Sequence, residues 1–436
     1  MQLDALEAAV GLVLEPGDVG YEDEVAGFQT GFAQRPYVVV GAASAAEVAA
    51  AVGYAAGAGQ PVRVQATGHG LPGAYEGGVL VTTRRMDGVE IDPVARTARV
   101  AAGVRWGQVV AAAEPYGLAP LNGSSPGVGA VGFTLGGGLG ILAREFGYAA
   151  DHVRSLDVVT ADGRSRRVTP ESEPDLYWAL LGGGPGLGIV TGMEIGLVPV
   201  ARLYGGSLSF DGREVDPAAV LAVYERWTRT VPSTLTSSFA AVPYPDAPGL
   251  PPELRGRYVV SVRVAYTGDD GERLVAPLRE AGPAFADTLR WMPYGDSHTI
   301  HSDPAVPHTN YGDSAVVSEL EVGAVARVLT RTGPGAGAMC VVQVNQLGGA
   351  LARPAGNAVP YREGRFLVRL VAMAGRAEAR RILDPAFAEL APRTLGRAVN
   401  FAFGAGDRTE GLYDAETRKR LAAVKSEYDP ANLFRG

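Results

Sequence analysis

Three scarcities bound this chain of 436 residues. Cysteine occurs once, at Cys340, so no intrachain disulfide can form and a cysteine-rich metal site is excluded. Lysine occurs at Lys419 and Lys425 alone, which leaves no lysine for a phosphate loop or a Schiff base in the first four hundred residues. No apolar run approaches the roughly 20 residues of a membrane span. The net charge of −8 comes without a basic stripe and argues against nucleic acid or an anionic membrane as partner. The first residues, MQLDALEAAVGLVLEPGD, carry acids where a secretory signal needs a basic region, so a cytoplasmic location is expected. Histidines at 69, 152, 298, 301 and 308 show no metal-ligand spacing, and no metal is expected. What remains is 47% apolar and 20% charged, the profile of a globular protein large enough for two or three domains.

Glycine, by contrast, is concentrated. Within Asn122–Gly140 (NGSSPGVGAVGFTLGGGLG) it occupies positions 123, 127, 129, 132, 136, 137, 138 and 140. Such density costs backbone entropy unless a large ligand must approach the main chain closely. No cation lies between Gly107 and Leu142, so an anion held here would rest on backbone N–H dipoles. The apolar Val128, Val131, Phe133, Leu135 and Leu139 exclude a solvated linker. Two familiar motifs appear inside the stretch and fail. Gly127–Gly132 spells G-x-G-x-x-G, but Pro120–Pro126 is no strand. Gly123–Gly127 spells G-x-S-x-G, but Pro126 follows the serine and has no N–H for an oxyanion.

Strands and helices alternate through residues 36–200, which predicts an α+β or α/β unit. Expected strands there are Val38–Val40, Pro61–Gln65, Val79–Thr82, Thr97–Val100, Arg154–Thr160 and Gly188–Val198. Expected helices are Leu3–Leu12, Ser44–Ala58, Trp106–Tyr116 and Asp175–Leu181. From Leu203 to about Leu390, longer strands (Ser207–Phe210, Ser237–Val242, Arg257–Tyr266, Cys340–Gln346, Phe366–Met373) alternate with helices (Pro217–Thr230, Asp270–Ala281, Val322–Arg331, Ala377–Leu390). This predicts one sheet with helices on one face. The tail adds a strand, Val399–Phe403, and a helix, Ala415–Tyr428.

His69 is the most informative single residue. It stands between Gly68 and Gly70 in a loop after a buried-looking strand, which leaves its imidazole uncrowded. On the second half, Gln343 and Asn345 share a strand face by period-two alternation, and Tyr361-Arg362 follows a Gly-Gly turn. Tyr75 lies just past the histidine loop.

These residues carry a resemblance. Thr67-Gly68-His69-Gly70, Trp106, Gly123-Ser124-Ser125 through Gly140, Asp151, Leu181–Gly184, Gly188-Ile189-Val190-Thr191, Val399-Asn400-Phe401 and the closing YDPANLFR resemble the vanillyl-alcohol oxidase / p-cresol methylhydroxylase superfamily. The berberine-bridge-like, 6-hydroxy-D-nicotine-oxidase-like branch is the nearest. The resemblance implies a two-subdomain α+β FAD-binding domain (1–200), a substrate domain with a large antiparallel sheet under helices (201–390), and a C-terminal segment (391–436) returning to the first. It implies FAD contacts from Gln65, Ala66, Thr67, Gly68, His69, Gly70, Ser124, Ser125, Gly129, Gly132, Phe133, Thr134, Gly136, Gly137, Gly140, Gly188, Val190 and Asn400, with a single covalent tether at His69.

The chain departs from the family pattern at three places. Ser125 stands where bicovalent members place a cysteine, no carboxylate occurs in Leu351–Val359 where several place a glutamate base, and Ala398 stands where many have a tyrosine. The resemblance therefore implies an FAD-dependent oxidase delivering hydride from a small organic substrate to the flavin, with dioxygen as acceptor. Tyr361, Asn345, Gln343 and Tyr75 are the expected catalytic set, Tyr361 as base if Arg362 lowers its pKa. The missing glutamate leaves an alternative, a natural-product cyclase with largely structural FAD.

Overall fold

The computed structural model describes residues 3–402, 404 and 409–435. Three sheets organise them. The first has four strands in the order Val13–Leu14, Val38–Gly41, Val79–Thr82, Val62–Gln65, the last three parallel. Both Val38–Gly41 and Val79–Thr82 are buried throughout, which is why they read as unbroken β-branched runs rather than alternating ones. The helix Ala45–Ala58 packs on this sheet; Ser44 caps it through the Glu47 N–H at 3.3 Å, and Gly59 ends it in the left-handed region.

The second sheet is antiparallel, in the order Ser165–Val168, Val153–Val159, Ile189–Gly196, Thr97–Ala101, Val89–Asp92. Trp106–Ala113 and Pro174–Leu180 supply its helical cover, and fully buried Trp106, Leu156 and Leu176 its core. The third is a nine-stranded antiparallel sheet centred on Arg202–Asp211, Tyr258–Tyr266, Leu235–Pro243, Cys340–Gln346, Phe366–Ala372 and Tyr311–Val317. Its two faces differ in kind. Phe210, Val260, Val262, Phe239, Val342, Val344, Val368 and Leu370 form one apolar face, packed beneath helices Pro217–Thr228, Val322–Thr332 and Arg376–Leu390. The alternate positions, among them Arg263, Ser238, Gln343, Asn345 and Arg369, face the other way, toward the glycine-rich stretch.

Several expected elements change shape for local reasons. The first helix stops at Glu7, and Val13–Leu14 pairs as an edge strand instead. Trp106–Tyr116 tightens to a 3₁₀ turn at Glu114–Tyr116, where Pro115 removes a donor. Asp270–Ala281 likewise divides into Gly271–Val275 and a 3₁₀ segment carrying Pro277. Val399–Phe401 is a 3₁₀ turn rather than a strand, and Phe403, the end of that expected strand, lies outside the described residues. The strand Tyr311–Val317 escapes the sequence reading because Gly312 and Asp313 interrupt its apolar pattern.

The sheets are tied together by a few buried polar contacts. Arg144 donates to the carbonyls of Leu347 (3.1 Å), Pro232 (3.1 Å) and Leu235 (2.5 Å), joining the short helix Ala143–Phe146 to the large sheet. Asp151 accepts from Arg362 (2.6 Å), Asn357 (2.8 Å) and the Tyr148 N–H (2.9 Å), pinning residues 357–362 over the glycine stretch. No described helix is long and apolar enough to cross a membrane.

Candidate active site

The glycine stretch folds as a loop through Gly129 and then the short helix Ala130–Leu135, with no strand before it. Gly68, in the histidine loop, and Gly136, in the stretch, stand where only glycine fits. At Gly68, φ is +69° and an added Cβ would lie 2.6 Å from the Gly27 Cα. At Gly136, a Cβ would overlap the Asn400 Oδ1, whose side-chain amide also donates to the Phe133 carbonyl at 2.8 Å. Asn400 is thus held against the glycine helix. Gly132 and Gly70 are different: an added Cβ would meet no atom of the described residues within 4 Å. Their glycines answer no need of the protein's own packing.

His69 packs face to face on Phe28, with centroids 3.8 Å apart and planes 11° from parallel. Its Nδ1 is paired with the Thr67 hydroxyl at 2.8 Å, while its Nε2 is buried without a hydrogen-bond partner among the described residues. Burial, reinforced by the nearby Arg105 charge, lowers its pKa to about 4, so the ring is neutral at pH 7. The stretch itself is cation-free, but the fold thus brings Arg105 close to it. Ser125 lies beside His69: the Oγ of the one and the Nε2 of the other would each stand 3.8 Å from a Cβ on Gly127.

Between the glycine stretch and the polar face of the large sheet lies a cavity of about 40 Å³. Ser124, Gly140 and Ile141 line one side, Arg263, Gln343, Asn345 and Arg369 the other, and His301 its rim. Arg369 donates to the Gln343 Oε1 at 2.6 Å and lies over the Phe401 ring, 4.2 Å from its centroid. Burial lowers the Arg369 pKa to about 10, still well above neutrality. Burial, followed by the Arg263 charge, pushes His301 down to about 3. Asp303 accepts a hydrogen bond from the Ser124 hydroxyl. Burial works to raise the Asp303 carboxyl, but His301, that hydroxyl and the arginines outweigh it and hold it below the usual range.

The structure therefore brings Gln343 and Asn345, expected in catalysis, to one cavity with Ser124 and Gly140, expected at FAD, and it removes both tyrosines. Tyr361, at φ 55°, turns its ring onto Gly396 and among Leu347, Leu351 and Leu367. Burial, then the Asp414 charge, raises its pKa, and Arg362 is committed to Asp151 rather than to it. Tyr75 is structural: its hydroxyl donates to the Pro61 carbonyl at 3.0 Å, and burial drives its pKa to about 12. Other expected contacts can act through their backbone only. Thr134 spends its hydroxyl on the Ala130 carbonyl, Val190 is buried in the second sheet's core, and a Cβ on Gly188 would stand 2.7 Å from the Val159 carbonyl. Gln65 donates to the Val25 and Ala26 carbonyls, both at 3.2 Å. Arg263, Arg369, His301 and Asp303 were missed. The two arginines had a signal, a charged residue between apolar neighbours in a largely apolar strand (Val-Arg-Val, Val-Arg-Leu).

Comparison with known proteins agrees with this geometry. Residues 36–169 match the model of an FAD binding domain. Over 98% of this chain and 95% of the relative, the sequence is 28% identical to (R)-6-hydroxynicotine oxidase of Paenarthrobacter nicotinovorans. The solved 6-hydroxy-D-nicotine oxidase of Arthrobacter nicotinovorans superposes with a TM-score of 0.83 at 26% identity, covering 97% of this chain and 96% of that one. A BBE-like protein of Physcomitrella patens shares the fold, with a TM-score of 0.85 at 20% identity over 100% and 98% of the two chains. The protein is thus an FAD-dependent oxidoreductase. Its similarity to these proteins agrees with the resemblance of its sequence to the vanillyl-alcohol oxidase / p-cresol methylhydroxylase superfamily. The residues present fit the cofactor: the vacant flanks of Gly70 and Gly132 and the unpartnered His69 Nε2 are each otherwise unexplained.

Proposed function

We propose that the protein is an oxidase that takes hydride from a C–H bond of a small alcohol, amine or natural-product intermediate held in the cavity between the glycine stretch and the large sheet. The observation that carries this reading is that one cavity is walled jointly by Ser124, Gly140 and Ile141 and by Gln343, Asn345, Arg263 and Arg369. When bound, FAD supplies the hydride acceptor, and dioxygen takes the electrons onward as hydrogen peroxide.

In this reading residues 1–200 with 391–436 hold FAD, and residues 201–390 hold the substrate. Backbone N–H groups around Gly129–Gly137 would hold the pyrophosphate, and Asn400 would stand on the flavin side. His69 would carry the single covalent tether through Nε2, the nitrogen that Thr67 leaves free. Ser125, beside it, offers no accessible thiolate for a second.

With Tyr361 turned away, His301 is the neutral titratable group lining the cavity, and it accepts the substrate's hydroxyl or amine proton. The Asp303 carboxylate two residues on stabilises the imidazolium that results. Oxidase relatives support oxidation over the cyclase alternative.

The test is anaerobic reduction of the bound flavin by a panel of alcohols and amines, followed by peroxide release on admitting air. His301→Ala should slow reduction by about 10²-fold, the usual scale for losing a general base, with flavin content unchanged. Turnover without flavin bleaching or oxygen consumption would defeat the oxidase reading.

A further inference from the structure

We propose that the substrate of this cavity bears a carboxylate, gripped by Arg369 and Arg263. The proposal rests on the oxidase reading only for the cavity's role. Its support comes from how the large sheet presents charge.

Cross-strand register puts Arg263, Ser238 and Asn345 in one row, and Ser261, Ala240, Gln343 and Arg369 in the row beside it. Residues in register share a face, so the two guanidiniums project toward the same cavity from strands separated by two others. Among the described residues, nothing pairs with them as an anion would. Arg369 has a neutral amide, Gln343, as its hydrogen-bond partner, and its Nε is buried without one. Arg263 has no hydrogen-bond or ion-pair partner among the described residues. Ser238 Oγ and Asn345 Oδ1, lining the same cavity, are likewise buried and unsatisfied.

Native proteins pair almost all buried polar groups, so this convergence marks where a ligand completes the set. The charge count points the same way. His301 is neutral, and Asp303 offers one negative charge against two guanidiniums, engaging Ser124 by hydrogen bond and neither arginine at ion-pair distance. One positive charge is left over in a confined site. A guanidinium fork matches a planar carboxylate with two parallel N–H···O bonds. The standing charge on Asp303 favours such a monoanion over a phosphate dianion. Ile141, Ala265 and Ile300 line the same cavity and offer apolar contact to the rest of such a molecule.

The experiment titrates the purified holoenzyme with benzoate, benzamide and inorganic phosphate, reading the flavin absorption spectrum. Benzoate should perturb it and bind at least tenfold tighter than benzamide, and phosphate should not displace it. Arg369→Gln and Arg263→Gln should each weaken benzoate at least tenfold and leave benzamide unchanged. Equal affinity for acid and amide, no perturbation by either, or displacement by phosphate would overturn the proposal. So would arginine variants that shift the flavin's reduction potential while benzoate binding stays the same, since the charges would then serve the ring. Failure of the oxidase reading shows separately, as wild-type flavin that no alcohol or amine reduces.

Discussion

Gly132 offers a direct test of the cofactor cradle, because protein stability and flavin binding should move in opposite directions there. It sits inside the helix Ala130–Leu135, and an added Cβ would find no atom of the described residues within 4 Å. A glycine at such a position costs roughly 0.5–1 kcal/mol relative to alanine, so Gly132→Ala should stabilise the apoprotein by up to about that amount. If the vacant flank is where the pyrophosphate lies, the same methyl overpacks the holoprotein. Overpacking of this kind costs about 1–3 kcal/mol, or roughly 5- to 150-fold in FAD affinity. The assay is done in a His69→Ala background, where FAD exchanges freely, with urea unfolding of the apoprotein and fluorescence titration of FAD. Gly136→Ala is the contrast: its methyl would strike Asn400, so it should lose stability as well as flavin. A Gly132→Ala protein that is more stable and binds FAD as tightly as its parent would refute the argument and place the cradle elsewhere.

Three further outcomes are expected. Acid-precipitated wild-type protein should stay yellow with an intact mass raised by one FAD, while His69→Ala should release its flavin; a bare polypeptide mass in the wild type would remove the tether. Apoprotein stability should fall as pH drops below about 6.5, because the unfolded chain binds protons there that His69 and His301, with native pKa values of about 4 and 3, refuse. Each histidine contributes about 1.4 kcal/mol per pH unit across that window, so His301→Ala should flatten the urea-midpoint profile between pH 6.5 and 4; an unchanged slope would mean the imidazole is solvated. Tyr361→Phe should leave anaerobic flavin reduction within about twofold of wild type, against the 10²-fold or more expected of a lost base. A slow variant would return that phenol to the mechanism.

Much of the nucleotide side was legible in the sequence because its signals are local. Strands buried on both faces read as β-branched runs, and a backbone pressed against its neighbours, as at Gly68 and Gly136, reads as glycine. The substrate side was legible by half. Gln343 and Asn345 declare themselves on one strand, whereas Arg263 and Arg369 gain meaning only when the sheet order sets their strands around that one. Tyr361 shows the opposite failure. Its place after a Gly-Gly turn suggested a cavity wall, but its positive φ swings the ring into a hydrophobic cluster. Strand order and a single backbone rotation are tertiary facts that no nearby residue encodes.

The parallel sheet of the nucleotide side is closed by residues encoded far from it. The Val62 N–H donates to the Leu433 carbonyl at 2.8 Å, and Phe434 continues the bridge beside Val62. Asp429 accepts from the Leu433 and Phe434 N–H groups at 2.7 and 2.9 Å, and Lys425 reaches the carbonyls of Phe434 (2.8 Å) and Gly186 (2.6 Å). During synthesis, then, the first sheet emerges from the ribosome long before the strand-like segment that completes it. Until residues 425–434 arrive, its edge along Val62–Gln65 is open and its apolar underside at Val62 lacks Leu433 and Phe434. Long-range closure of this kind slows folding and leaves an aggregation-prone interval that a chaperone would have to cover. Flavin capture should consequently wait for residues 425–434, because the sheet of the nucleotide side is not closed until they have been made.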